Sequence, residues 1–386
     1  MIKIIDKKNC CGCGACVASC PQKCIQMIED DEGFLYPKVD ESKCIKCGIC
    51  EKVCPIIQYT NQNQQQPKCV LAYSKDNAIR EKSSSGGIFS EIANYILKNK
   101  GVVYGAAVTE NLQVEHIRIT REEELYQLRG SKYVQSNLKN IFLQIEKDLK
   151  NDIEVLFTGT PCQIAGIKKF LKKEYKNLYT CDIICHGVPS PKVFTIYIKE
   201  LEKKYASQVK EIYFRNKDTG WNNFRIKIVF ENGKIYSCEA NKDPFMKSFL
   251  QNANLRPSCY QCNFSTIPRL ADITLGDYWG VNIVHPELKD DKGISMITIN
   301  NDRGERVLQK IKDKIFIEEN EDISNFIKFN PCICASVKPH KNRDEFFKDV
   351  ESLQMEELDK KYFTEKITIK WVLRKLKRLA VKIIKK

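Results

Sequence analysis

Along the middle of the chain the spacing of hydrophobic positions switches repeatedly between strand-like and helix-like patterns. Val102–Val108 and Val114–Ile119 are rich in β-branched residues and predict strands. Between 137 and 149, apolar residues at 138, 141, 142, 145 and 149 follow helical spacing. The short apolar run 153–157 predicts a strand, ended by Thr-Gly-Thr-Pro and followed by a helix to about 173. Residues 178–184 predict another strand, and 191–204 another helix, with Pro191 suited to its first turn. Three runs, 212–214, 224–230 and 234–238, predict antiparallel strands of a small inserted sheet, the last two joined through Glu231-Asn232-Gly233. A final strand and helix are expected at 296–299 and 303–311. Strand and helix in alternation imply an α/β core with some parallel strands.

The flanks read differently. Residues 59–67 are polar and uncharged and predict a linker. Four regions follow: 1–58, the linker 59–67, the core 68–345 and a helical tail 346–386. Within the tail, 366–386 carries nine Lys or Arg, no acidic residue and an apolar stripe at 369, 372, 373, 376, 379, 380 and 383. That pattern predicts a basic amphipathic helix able to lie on an anionic membrane surface, with a helix docked on the core as the alternative. Net charge is +14, and nine of those charges sit in this segment, leaving +5 for the other 365 residues. A nucleic-acid partner is therefore disfavoured. No apolar run approaches the roughly 20 residues of a membrane span. The first nine residues lack the apolar centre of a signal peptide. The expectation is a cytoplasmic protein, peripheral at the inner membrane face if the tail binds lipid.

In a reducing compartment 19 cysteines point to metal rather than to disulfides. Ten lie in the first 58 residues. Cys10, Cys13, Cys16 and Cys20-Pro21 fit C-x2-C-x2-C-x3-C-P, and Cys44, Cys47, Cys50 and Cys54-Pro55 repeat it at an offset of 34. Gly14 and Gly48 repeat at the same offset. This is the spacing of a bacterial-type ferredoxin with two 4Fe–4S clusters, in which the fourth cysteine of each run serves the other cluster. One cluster is then expected on Cys10, Cys13, Cys16 and Cys54, and the other on Cys44, Cys47, Cys50 and Cys20. Zinc sites usually show two C-x2-C pairs across a longer gap. Cys11 and Cys24 are not echoed in the repeat and are expected to be non-ligands.

Nine cysteines lie beyond residue 58. Cys162 opens a helix, where the dipole favours a thiolate, so a catalytic thiol and a buried core residue both compete with a ligand role. Cys185 precedes His186-Gly187, and Cys259 and Cys262 form a C-x2-C pair. Cys181, four residues before Cys185 on the same predicted strand, is its rival. Cys332 and Cys334 have poor spacing for one cubane and are expected to be core or surface residues.

Seven motifs occur in order: 83–87 (Ser-Ser-Ser-Gly-Gly), 130–136 (Gly-Ser-Lys-Tyr-Val-Gln-Ser), 159–163 (Gly-Thr-Pro-Cys-Gln), 185–189 (Cys-His-Gly-Val-Pro), Cys259-x2-Cys262, 276–280 (Gly-Asp-Tyr-Trp-Gly) and 291–293 (Asp-Lys-Gly). Together they resemble the coenzyme F-420 (deazaflavin) hydrogenase/dehydrogenase beta-subunit family, from the ferredoxin domain to about residue 347. The resemblance implies an iron–sulfur flavoprotein oxidoreductase. A third 4Fe–4S cluster would be held by Cys162, Cys185, Cys259 and Cys262. FAD would be contacted by Ser84, Ser85, Gly86, Gly87, Ser131, Lys132, Tyr133, Gln135, Ser136, Gly159 and Thr160. Lys132, His186 and Asp277 are the candidates for catalytic and proton-transfer roles, with ordinary polar structural roles as the alternative. The implied fold class is α+β or α/β: a ferredoxin-like two-cluster domain, a mixed α/β flavin-binding domain and a C-terminal basic helix. Electrons would pass from ferredoxin or another redox protein to a small-molecule acceptor, in polysaccharide metabolism for some bacterial members. Deazaflavin oxidoreduction and a non-catalytic electron-transfer subunit are the alternatives.

Overall fold

The structure is a computed structural model and describes residues 1–59, 66–319 and 321–364. Most of the expected linker and the whole basic segment 366–386 lie outside the described residues.

The N-terminal module is small. Its strands β1 (Ile25–Glu29) and β2 (Leu35–Val39) form an antiparallel hairpin. Each cysteine run ends in a four-residue helix, Ala15–Ala18 or Ile49–Lys52. Gly14 (φ 72°) and Gly48 (φ 74°) cap these helices in the left-handed region, where a Cβ is penalised. The repeat in sequence is thus a repeat in backbone.

The main body is built on one mixed sheet. Its strands are β3 (Lys68–Ser74), β4 (Val102–Val108), β5 (Val114–Ile119), β6 (Val155–Gly159) and β7 (Leu178–Ile183). Beyond the inserted sheet of β8 (Val209–Asn216), β9 (Arg225–Phe230) and β10 (Ile235–Glu239) come β11 (Ile273–Asp277), β12 (Ser295–Ile299) and β13 (Ile315–Glu318). The large sheet runs β13-β3-β12-β11-β7-β6-β4-β5. β4, β6, β7 and β11 are mutually parallel, and the other pairings are antiparallel.

Both faces are covered. Val103, Leu156, Ile273 and Ile297 pack beneath the helix Ile88–Lys98. Tyr104, Val155 and Phe157 pack against the helices Ile141–Lys150 and Pro161–Leu171. Strands buried on both faces become near-continuous apolar runs, which is why 102–108 and 153–157 read so clearly. The three-stranded sheet buries one face only: alternate residues Ile226, Ile228 and Phe230 meet Phe194 and Tyr197 of the helix Pro191–Tyr205. Phe346, Val350, Met355 and Leu358 pack into this same core, and the boundary expected between residues 345 and 346 falls inside the helix Arg343–Asp349. Among the described residues no helix is long and apolar enough to cross a membrane.

A candidate iron–sulfur relay and its cofactor edge

In the N-terminal module, each recess draws cysteines from both copies of the repeat. A recess of about 330 Å³ is lined by Cys10, Cys13, Cys16 and Cys54, with Cys11, Ile2 and Ile4. A second, of about 350 Å³, is lined by Cys20, Cys44, Cys47 and Cys50, with Cys24 and Ile45. Hereafter the first is the inner recess and the second the outer. Among the described residues no three His, Cys, Asp or Glu groups converge tightly enough for a single metal ion. A cubane is larger than one ion, and four repeat cysteines around each recess are the donor set that such a group requires. Backbone N–H groups point at sulfur, as in the bond from Ile2 N to Cys50 Sγ (3.3 Å). Such donors stabilise sulfur ligands of an anionic cluster. Burial pushes the free Cys16 thiol up to about 12, a cost that binding to iron would remove.

A third set of cysteines is assembled by the parallel strands. The chain leaves β6 through Gly159-Thr160 and enters the helix Pro161–Leu171, with Cys162 in its first turn. It leaves β7 at Ile183, two residues before Cys185. Carboxyl ends of adjacent parallel strands open a crevice in α/β sheets, and these two deliver their cysteines to the same edge. The short turn Pro257–Gln261 adds Cys259, and Cys262 follows it. Burial, and after it the closeness of neighbouring thiols, pushes these cysteines upward: Cys185 feels Cys162, Cys259 and Cys262, Cys259 feels Cys162 and Cys262, and Cys262 feels Cys162. Val188 N donates to Cys259 Sγ (3.4 Å), another N–H to sulfur bond. Cys181 is elsewhere. It sits inside β7, buried among Ile273, Ile297 and Leu156. The strand ends before Cys185, so strand alternation does not place both cysteines on one side. Cys332 is nearer, with its Sγ 3.8 Å from His186 Nδ1.

The expected helix-dipole activation of Cys162 is not found. Its thiol is held well above the ordinary cysteine range, first by a hydrogen bond with Cys11 and then by burial. A dipole contribution of around 1 kcal/mol is outweighed by those two effects. Cys11, which the repeat leaves unmatched, therefore spans from the inner recess to the third cysteine set. Its carbonyl accepts from Gln135 Nε2 (3.1 Å). Arg256 closes the same junction, donating to Cys10 O (2.8 Å), Gln135 Oε1 (3.0 Å) and Leu35 O (2.9 Å). Arg256 was not signalled by sequence: one arginine before Pro257 carries no periodicity or motif.

The remaining motifs gather along the same edge of the large sheet. Ser131 N and Ser131 Oγ both donate to Ser84 Oγ (2.8 and 3.1 Å). Ser85 Oγ donates to Ile294 O, and Gly86 N to Ser295 Oγ. A Cβ on Gly86 would stand 2.6 Å from Ala72 O, so glycine there serves close packing. Gly87 is the left-handed N-cap of the helix Ile88–Lys98. Lys132 is enclosed, its Nζ donating to Gln127 O and Arg129 O, and burial lowers its ammonium to about 7. Tyr133 stacks on Phe249 at 4.8 Å. Ser136 Oγ is bonded to His116 Nδ1 (2.6 Å), whose other ring nitrogen meets Thr158 O. Gln135 turns away from this edge toward Arg256, as described above. Thr160 caps its helix, its N–H donating to Gln163 Oε1 (2.9 Å).

The catalytic candidates are spread apart. His186 Nε2 is bonded to Asn252 Oδ1 (2.6 Å) beside the third cysteine set, and burial lowers its pKa. Asp277 is paired with buried Arg215 and accepts from Trp221 Nε1 (2.8 Å). The Arg215 guanidinium lies over Phe224 (4.5 Å) and Trp279 (5.1 Å), yet its Nε and Nη2 are buried without a hydrogen-bond partner among the described residues. Buried donors left open in this way suit an anionic group. Sequence analysis missed Arg215 as well. The only signal was a basic cluster, Arg215 and Lys217, at the end of an amphipathic strand.

Paired cysteine recesses docked beside a cysteine-bearing sheet edge define an iron–sulfur electron-transfer protein. The chain belongs to the coenzyme F420 hydrogenase/dehydrogenase beta-subunit family, an oxidoreductase family: the C-terminal domain of that subunit matches residues 152–324 and the N-terminal domain residues 69–142. A 4Fe–4S dicluster domain matches residues 3–61. Among solved structures, a chain of the F420-reducing [NiFe] hydrogenase complex from Methanosarcina barkeri, derivatised with xenon, is 17% identical. That match covers 75% of this chain and 94% of the other, with a TM-score of 0.49. No curated protein matched in the corresponding sequence search.

Proposed function

We propose that this protein is an iron–sulfur flavoprotein oxidoreductase that takes electrons singly from ferredoxin or a similar redox protein and delivers them to a small-molecule acceptor. The observation that carries the reading is the order of the cysteine sets: outer recess, inner recess, then the third set, with Cys11 touching Cys162 between the last two. Three 4Fe–4S clusters would supply one-electron transfer, and FAD would couple it to two-electron chemistry.

The chain's own residues have definable parts in this. Cys10, Cys13, Cys16 and Cys54 would hold one cluster, Cys44, Cys47, Cys50 and Cys20 another, and Cys162, Cys185, Cys259 and Cys262 the third. Cys47 is exposed and Ile45 is 61% exposed, so the outer recess is the natural entry point for an external donor. Ser84, Ser131 and Lys132 line the sheet edge for the flavin, with Arg215 offering two free donors to an anionic group. Asp277 holds Arg215 in place. His186 beside the third set is a candidate for moving a proton at its imidazole.

The test is anaerobic purification with iron, sulfide and flavin assays, then turnover with reduced ferredoxin. The expected content is about twelve irons per chain, from three 4Fe–4S clusters, together with one flavin. Cys259→Ser with Cys262→Ser should remove about four of them. Colourless protein with stoichiometric zinc would refute the reading. The family match favours a second acceptor, deazaflavin coenzyme F420. Reduction of F420 in place of other acceptors would select it, and electron delivery only to a bound partner enzyme would make the chain a relay subunit. The segment 366–386 is proposed as a membrane contact, and its removal should abolish co-sedimentation with anionic liposomes.

A further inference from the structure

Arg256 is completely buried, yet among the described residues none of its hydrogen-bond partners is a carboxylate. Its donors reach two backbone carbonyls and one side-chain amide, and Nη2 lies 3.6 Å from Cys10 Sγ. The guanidinium also stacks on Tyr36 at 4.2 Å. Of the acidic residues of the nearby hairpin, Glu29 and Asp31 are exposed, while Asp30 pairs with Lys7 and Glu32 with Arg343. A buried charge without a counter-ion is expensive. The groups of opposite potential charge around Arg256 are the sulfurs of Cys10, Cys11 and Cys259 and the Tyr36 hydroxyl. Among the described residues the outer recess has no buried counterpart: the cations that line it are the amino group of Met1, partly exposed and paired with Glu51, and the exposed Lys46.

We propose that Arg256 is a positioning residue for electrons: its fixed charge raises the reduction potential of the inner cluster above that of the outer one and so draws electrons inward. The proposal rests on the cluster assignment made above. A cluster held by four thiolates is anionic and gains one further negative charge when one electron arrives from the external donor. Arg256 remains protonated throughout, so no proton need accompany that electron. In a site closed to water, a cation this close favours the reduced form strongly.

The test is an anaerobic redox titration of the holoprotein followed by electron paramagnetic resonance. Inner and outer signals are told apart by loss of the outer one in Cys47→Ser. Arg256→Met should lower the reduction equilibrium of the inner cluster tenfold or more, which is about 59 mV for a one-electron couple. The outer signal should stay where it was. Arg256→Lys, which keeps the charge, should retain most of the potential. If Arg256→Lys shifts as far as Arg256→Met, hydrogen bonding and not charge is responsible, and the proposal is overturned. An unchanged potential in Arg256→Met at full iron content overturns it too, leaving Arg256 as a structural clamp. Should Arg256→Met lose its iron, Gln135→Glu decides. That variant keeps the guanidinium and sets a carboxylate against it, so the inner potential should again fall, and no fall is refuting. Absence of any cluster signal in the wild-type protein would instead sink the underlying cluster assignment.

Discussion

The two halves of the cysteine repeat begin from almost the same local sequence and end in opposite surroundings. Both use a left-handed glycine, Gly14 or Gly48, to start a four-residue helix under the sulfurs. Two residues earlier they part. Gly12 (φ 71°) and Lys46 (φ 55°) share a backbone conformation, but a Cβ on Gly12 would meet Gln135 Nε2 at 2.8 Å and Arg256 Nη1 at 2.9 Å. Lys46 faces solvent and carries a long side chain without conflict. The inner loop is thus pressed onto the main body, where Gly166 leaves room for Cys13, while the outer loop keeps Cys47 and Ile45 exposed. Duplication supplies two equivalent metal-binding loops, and docking of one of them converts equivalence into direction.

The largest expected effect comes from removing one half at a time. Cys10→Ser with Cys16→Ser, or Cys44→Ser with Cys47→Ser, should each remove about four irons. The inner pair should also stop electrons from reaching the third set, whereas the outer pair should leave a small chemical reductant able to reach it. Stopped-flow reduction with dithionite distinguishes the two, and identical behaviour would erase the proposed order. Next is the Gly12 contrast. Gly12→Ala should cost about 2–4 kcal/mol from the left-handed conformation and the overlap with Arg256, while Lys46→Ala stays within about 0.5 kcal/mol. Anaerobic thermal unfolding of the two variants measures that difference.

A smaller loss is expected at the hairpin clamp. Arg343 donates to both oxygens of Glu32 (2.8 and 2.6 Å), holding the β1–β2 turn against the body. Glu32→Gln should destabilise by about 1–3 kcal/mol, since the pair is largely buried and one charge is left behind. Spectra of the outer cluster should not change. The mildest effect is kinetic. Under a chelator, iron should leave the exposed outer recess before the inner one, followed by successive loss of their paramagnetic signals. Loss in the reverse order would contradict the docking argument.

Much of the architecture was legible because its physics is local. Val102–Val108 and Val114–Ile119 are read from sequence with the same limits as they have in the fold, and the helix Pro191–Tyr205 is off by one residue. Their hydrophobic runs are long and are bounded by turn residues. Strands β3, β11 and β13 were not anticipated. β11 and β13 are only five and four residues long, β3 pairs with β12 and β13 from the far end of the chain, and all three depend on these neighbours more than on their own composition. The helix opening near Asn137 begins instead at Ile141, because Ser136 and Asn137 are held by His116, through the side chain of one and the carbonyl of the other.

The same division runs through the site. Spacing alone determined the two cysteine runs and their glycine turns, since a cubane demands ligands at fixed separations on one short loop. It could not decide that Cys185 and not Cys181 stands beside Cys162, because that depends on where β7 ends relative to its parallel neighbours. Nor could it reveal Arg256 or Cys11 at the junction, or Arg215 with its open donors. Residues that meet across tens to hundreds of positions of chain leave no periodic trace. Their significance comes from burial, where a charge or a thiol without water must find its partner in whatever the fold brings alongside.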